Sequence, residues 1–153
     1  MLTNCRTLKS GLQLAFIEPG KIHTNAQQAS ISVALNQGNF HALDFPDGFA
    51  HLYEHMIFNA SNTYKNGDAL DKHLFAHHGQ VNGWTRDSST HFHMNCDSDG
   101  FERACDIFLD RLCAPLFSYE DIEKEIIAIN AEFEAKKEGS VRQLLSVQKA
   151  SCN

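Results

Sequence analysis

The segment from Pro46 to Phe58 constrains this chain more than any other. Phe49, Ala50, Leu52, Tyr53, Met56, Ile57 and Phe58 fall on nearly every side of a helix, the pattern of a helix that is buried. Three polar side chains, His51, Glu54 and His55, interrupt it. Buried imidazoles and carboxylates need partners, so the fold must bring polar groups or a metal to this helix. At about 100° per residue, His51 and His55 lie about 40° apart, with Glu54 inside a total arc of about 100°. Imidazoles at i and i+4 can bind one zinc ion. The carboxylate between them can reach a water at the metal without being a ligand, and can take its proton as a general base. That is peptide-bond hydrolysis chemistry. The plainer alternative is an ordinary buried polar cluster, but so apolar a helix offers three chance polar residues little solvated face.

Length and composition bound the rest. The 153 residues suffice for one domain with a real core and are too few for two ordinary ones. Apolar residues make up 42% and charged residues 21%, a globular rather than a disordered mix. A net charge of −6 without a basic block argues against nucleic acid as a partner. No apolar run reaches the length of a membrane span. The segment MLTNCRTLKSG lacks an apolar leader, and five scattered cysteines without CxxC spacing point to reduced thiols. Both favour a cytoplasmic location.

The element pattern is mixed. Leu8–Ile17 reads as a hairpin turning at Ser10-Gly11, and Ala29–Leu35 as a strand. After the connector Gly38–Pro46, helices are expected over Pro46–Phe58 and over Gly67–His78, the latter stopping at Gly79. Gln80–Thr85 and Thr90–Cys96 read as paired strands around the turn Arg86–Ser89. Asp97, Ser98 and Asp99 offer caps for a helix with the stripe Phe101, Ala104, Cys105, Phe108 and Leu112, ending before Pro115. Ser118-Tyr-Glu-Asp121 opens a last long helix to about Lys137, and Val141–Ala150 reads as a further helical segment. The fold class is α+β, with helices packed on one face of a largely antiparallel sheet.

A catalytic zinc usually takes three protein ligands. Candidates for the third are Glu132, Glu125, His73, His77, His78, His91 and His93. On the last helix Ile122, Ile126, Ile129 and Phe133 form the apolar stripe, and Glu125 and Glu132, seven apart, project in line along its edge. One could ligate zinc and the other orient a ligand; two boundary glutamates on a charged helix is the plainer reading. His73 and His77 also stand at i and i+4, on a helix that looks half solvated, and read best as surface histidines. His91 and His93 share one strand face and read best as exposed.

The segment HLYEHMIF, with Gly48-Phe-Ala before it, resembles the inverted zinc motif of the insulinase/pitrilysin family of metallopeptidases. The resemblance continues in order through Tyr64, Leu70, Phe75 and Gly79. Val81-Asn-Gly-Trp-Thr85 with Thr90-His-Phe92 resembles the family's Asn-Ala-x-Thr segment, and Ala114-Pro-Leu-Phe117 its "PLF" ending. Lys124-Glu125-Ile-Ile-Ala-Ile-Asn-Ala-Glu132-Phe-Glu resembles the helix carrying the distal zinc ligand.

The resemblance implies a fold of the mitochondrial-processing-peptidase type and one Zn2+ per chain. It implies His51, His55 and Glu132 as metal ligands, Glu54 as catalytic base, and Glu125 as a partner of the ligands. It implies a zinc metalloendopeptidase acting on peptides and small unfolded polypeptides. Asn82 and Gly83 match the strand that docks substrate as an added β-strand; Gly83 stands where Ala is usual. Phe58 and Trp84 match apolar positions near the scissile bond, with core packing as their plainer role. The family builds its chamber from two homologous halves of two domains each. Residues 1–153 then correspond to one truncated N-terminal peptidase domain, with a second half as expected partner. A truncated or non-catalytic homologue that binds zinc or a partner is the main alternative. An ordinary α+β interaction module without metal is the remaining one.

Overall fold

The computed structural model describes residues 2–18, 27–42, 44–46 and 48–137. Two strands, β1 (Leu2–Thr7) and β2 (Gln13–Glu18), form an antiparallel hairpin that is a sheet of its own. Its turn is bridged by Leu8 N–H to Leu12 O at 2.8 Å and Gly11 N–H to Leu8 O at 2.9 Å. The turn at Ser10-Gly11 is where the sequence puts it, but the first strand precedes Leu8 instead of starting there. The polar string LTNCRT gives β1 no apolar alternation by which to read it.

The second sheet holds β3 (Gln28–Leu35), β4 (Gln80–Thr85) and β5 (Thr90–Asp97) in the order β3-β5-β4, with both pairings antiparallel. The central strand β5 alternates strictly: Thr90, Phe92, Met94 and Cys96 are buried, while His91, His93 and Asn95 are half-buried on the other face. Register puts Ile31 and Val81 beside Met94, and Val33 and Gly83 beside Phe92. These residues make one apolar face, and the helices cover it.

Those helices are α1 (Phe49–Ile57), α2 (Ala69–Ala76) and α3 (Phe101–Cys113), with α4 (Tyr119–Lys137) packed on α1. Ile57, Leu70, Leu74, Ala104, Ile107 and Phe108 close over Phe92, Met94 and Cys96 as a single core. The α+β architecture with helices on one face of an antiparallel sheet is thus the observed one. Helix α1 begins three residues later than the pattern predicts, because Gly48 sits at φ +88° directly before it. That left-handed backbone suits glycine and starts the helix at Phe49. Helix α2 is shorter at both ends than Gly67–His78. Helix α4 starts as its capping signal predicts, with the Asp121 N–H donating to Ser118 Oγ at 3.1 Å. The segment Val141–Ala150 lies outside the described residues.

One buried charge has no signal in the sequence. Arg111 of α3 is almost fully buried, and its Nη2 donates to Gly67 O at 2.7 Å. Its Nε and Nη1 have no partner among the described residues, and burial pushes the guanidinium pKa down. Arg111 thus ties α3 to the loop that follows α1. Among the described residues no helix is long and apolar enough to cross a membrane.

Phe92 is fully buried, with its ring 5.7 Å from that of Phe58 at the end of α1. Phe92→Ala should cost about 3–5 kcal/mol of unfolding free energy. Urea unfolding followed by circular dichroism reads this as a lower midpoint at unchanged slope.

Candidate metal centre

The sequence folds so that α1 and α4 meet through polar groups. The sequence predicts an apolar stripe on α4 at Ile122, Ile126, Ile129 and Phe133, with the glutamates at its edge. The observed inward face is instead Ile122, Glu125, Ile129 and Glu132, all half-buried, while Ile126 and Phe133 are 43% and 56% exposed. The stripe is rotated because the carboxylates, and not the outer isoleucine and phenylalanine, have partners on α1.

Those partners are the two motif histidines. The His55 Nδ1–H donates to Glu125 Oε2 at 2.9 Å, so Nε2 is the ring nitrogen left to face outward from that bond. His55 Nε2 lies 3.2 Å from His51 Nε2. Glu132 Oε2 lies 3.6 Å from each of them. These three donors form the one group of possible metal ligands found among the described residues. Bond lengths of about 2.0–2.2 Å to a tetrahedral zinc put neighbouring ligand atoms about 3.3 Å apart. The observed separations bracket that value. Two imidazole lone pairs 3.2 Å apart repel unless a proton or cation lies between them, so the donor set fits a metal on chemical grounds as well.

Glu54 stands beside this group and is not part of it. It is buried, and its Oε2 accepts a hydrogen bond from Thr85 Oγ1 at 2.6 Å. Its Oε1 lies against Gly83 of β4: a Cβ on Gly83 would be 3.1 Å from that oxygen and 3.1 Å from Phe58 Cε2. Gly83 therefore gives room to both the carboxylate and the Phe58 ring. Phe58 ends α1 and packs on the core. Asn82 and Trp84 alternate with Gly83 and project from the opposite face of the sheet. There Trp84 stacks on His91 at 5.0 Å and lies 5.1 Å from His93. Strand β4 is an edge of its sheet among the described residues.

The remaining third-ligand candidates lie elsewhere. His91 and His93 are on the sheet face away from α1; Ser89 Oγ lies 3.0 Å from His91 Nε2. His73 donates to Gly100 O at 2.8 Å, and His77 is 3.2 Å from Asp99. His78 bonds Asp97 at 2.8 Å, and that carboxylate raises the imidazole pKa above 6.5. These three lie at the corner between α2, β5 and α3, with His78 largely exposed and His73 and His77 half-buried. Thr85 was not among the candidate site residues. Its signal is its place two residues after Gly83, on the strand face that meets α1.

Comparison with known proteins identifies the family. The family described as "Insulinase (Peptidase family M16)" matches residues 21–150. Insulin-degrading enzyme-like 1, peroxisomal, of Arabidopsis thaliana is 33% identical over 125 residues, covering 82% of this chain and 12% of its own length. Coenzyme PQQ synthesis protein F of Klebsiella pneumoniae is 29% identical over 161 residues, covering 98% of this chain and 20% of that protein. The crystal structure of pitrilysin superimposes with a TM-score of 0.78 at 25% identity, over 86% of this chain and 14% of that one. The chain thus spans only a small part of the length of these relatives. With its HxxEH helix, the distal glutamate and this fold in place, the chain belongs to the insulinase family, peptidase family M16.

Proposed function

We propose that this chain carries the zinc site and general base of a zinc metalloendopeptidase, as the N-terminal peptidase domain or the larger part of it. The observation that carries the reading is the convergence of His51 Nε2, His55 Nε2 and Glu132 Oε2 at 3.2–3.6 Å. His51, His55 and Glu132 would hold one zinc ion, and Glu125 would fix the tautomer and direction of His55. Bound there, zinc supplies Lewis acidity to a water and to the scissile carbonyl. Glu54 takes the proton from the attacking water and returns it to the leaving amine. The outer edge of β4 at Asn82 and Gly83, where the Gly83 N–H donates to Asn82 Oδ1 at 2.8 Å, receives the peptide as an added strand. Phe58, beside Gly83, contributes apolar surface near the scissile bond; Trp84, on the sheet face away from α1, does not. Peptides and small unfolded polypeptides are the substrate class, and a second homologous half completes the chamber.

A second reading has an observation in its favour. Ile126, Ile127 and Phe133 of α4 are exposed, Ile127 to 70%. A chain that presents this much apolar surface beside the site can bind zinc and a partner without cleaving efficiently.

One measurement tests the zinc site that both readings share, and a second separates them. Metal analysis of the purified chain should give one zinc per molecule, lost in His55→Ala and in Glu132→Gln. Glu125→Gln should keep the site but weaken its affinity about 10–100-fold. Undiminished zinc affinity in both His55→Ala and Glu132→Gln would remove the assignment. In a peptidase assay, Glu54→Gln should keep its zinc and lower kcat about 10²–10⁴-fold. Chelator-sensitive cleavage by the wild-type chain favours the enzyme; zinc bound without cleavage favours the second reading.

A further inference from the structure

We propose that Thr85 is a positioning residue that fixes the carboxylate of Glu54, leaving Oε1 as the oxygen that meets the proton. The inference rests on the peptidase reading of this site, in which Glu54 is the base. An ionised carboxylate only accepts hydrogen bonds, so the donor in the 2.6 Å contact between Thr85 Oγ1 and Glu54 Oε2 is the threonine hydroxyl. That distance is typical of a charge-assisted bond. The hydroxyl has one other acceptor in range, Ala50 O at 3.5 Å, which is too long to compete.

With Oε2 engaged, Oε1 has no hydrogen-bond partner among the described residues. It lies over Gly83, where a Cβ would come within 3.1 Å of it. The carboxylate is thus held between two residues of one strand face, Thr85 at one oxygen and the bare Cα of Gly83 at the other.

The strand end that carries Thr85 is itself well fixed. Thr85 is paired with Thr90 across the hairpin. Thr90 Oγ1 donates to Gln37 O at 2.8 Å, and the Arg86 N–H donates to Ser89 O at 2.8 Å. Threonine is also stiff at χ1, so the hydroxyl offers Glu54 a fixed anchor. The anchor belongs to β4, the strand that forms an edge of the sheet among the described residues. The base and the substrate-docking edge therefore share one rigid element, which sets the distance between the proton acceptor and a peptide bound at that edge.

The test uses Thr85→Val, which keeps the shape and removes the hydroxyl, and Thr85→Ser, which restores it. Thr85→Ala removes the same group without bulk and substitutes for Val if that variant does not fold. Crystal structures of the zinc-free chains should show Glu54 turned away from its wild-type orientation in Val or Ala and retained in Ser. With zinc and a quenched fluorescent peptide, Val should lower kcat about 10–100-fold. It should leave KM within about twofold and zinc stoichiometry unchanged, with most of the loss recovered in Ser. Glu54 keeping its orientation in the Val or Ala chain overturns the proposal. So does wild-type kcat in that chain when Glu54→Gln is inactive. A wild-type chain that binds no zinc overturns the peptidase reading instead, and the crystal structures still decide whether Thr85 holds Glu54.

Discussion

The contact on which this structure depends is the meeting of α1 and α4 through carboxylates and imidazoles. Helices usually pack through apolar ridges. Here Glu125 and Glu132 replace part of that surface and reach His55 and His51 at 2.9–3.6 Å. The four side chains are 23–30% exposed, so each gives up part of its hydration. Such a contact is favourable only if the charges are compensated. The Glu125–His55 bond compensates one pair. The other three donors face a common point, where a dication would turn mutual repulsion into attraction. Metal affinity and the docking of α4 on α1 are then one free energy rather than two.

Strand β4 is the second constraint, because its two faces and its edge do different work. The face toward α1 must be small at Gly83 and polar at Thr85, or Glu54 has neither room nor anchor. The other face carries Trp84 over His91 and His93, which stiffens the hairpin by stacking. Period-two alternation keeps these demands apart. Gly83 weakens a strand by its freedom, and the full pairing of β4 with β5 from Gln80 to Thr85 offsets that.

What could be read from the sequence was whatever has a local cause. The HxxEH spacing, the alternation of β5, the Ser118 cap and the stripe of α3 each follow from neighbours within a few residues, and each is observed. The phase of α4 could not be read in that way. Ile126 and Phe133 look like core residues, and only the position of α1, brought alongside by the intervening sheet and α3, turns Glu125 and Glu132 inward. Without the family resemblance the glutamates read as boundary residues. Strand β1 was missed because its pattern is polar. The burial of Arg111 and the bond from Thr85 to Glu54 were missed because both depend on contacts distant in sequence.

This division has a consequence for how the site is held. His51, Glu54 and His55 come preassembled on two turns of one helix, so their spacing survives small shifts of the fold. Glu132 and Glu125 arrive on another helix, and Thr85 on a strand. Their alignment with α1 depends on the core of Phe92, Met94 and Cys96 that seats α1 on the sheet. An error of 1 Å in a site of this kind can cost about 10²-fold in rate. Core substitutions that loosen α1 should therefore impair the Thr85–Glu54 alignment, and a zinc ion held by His51, His55 and Glu132 would oppose that loosening by drawing α4 onto α1.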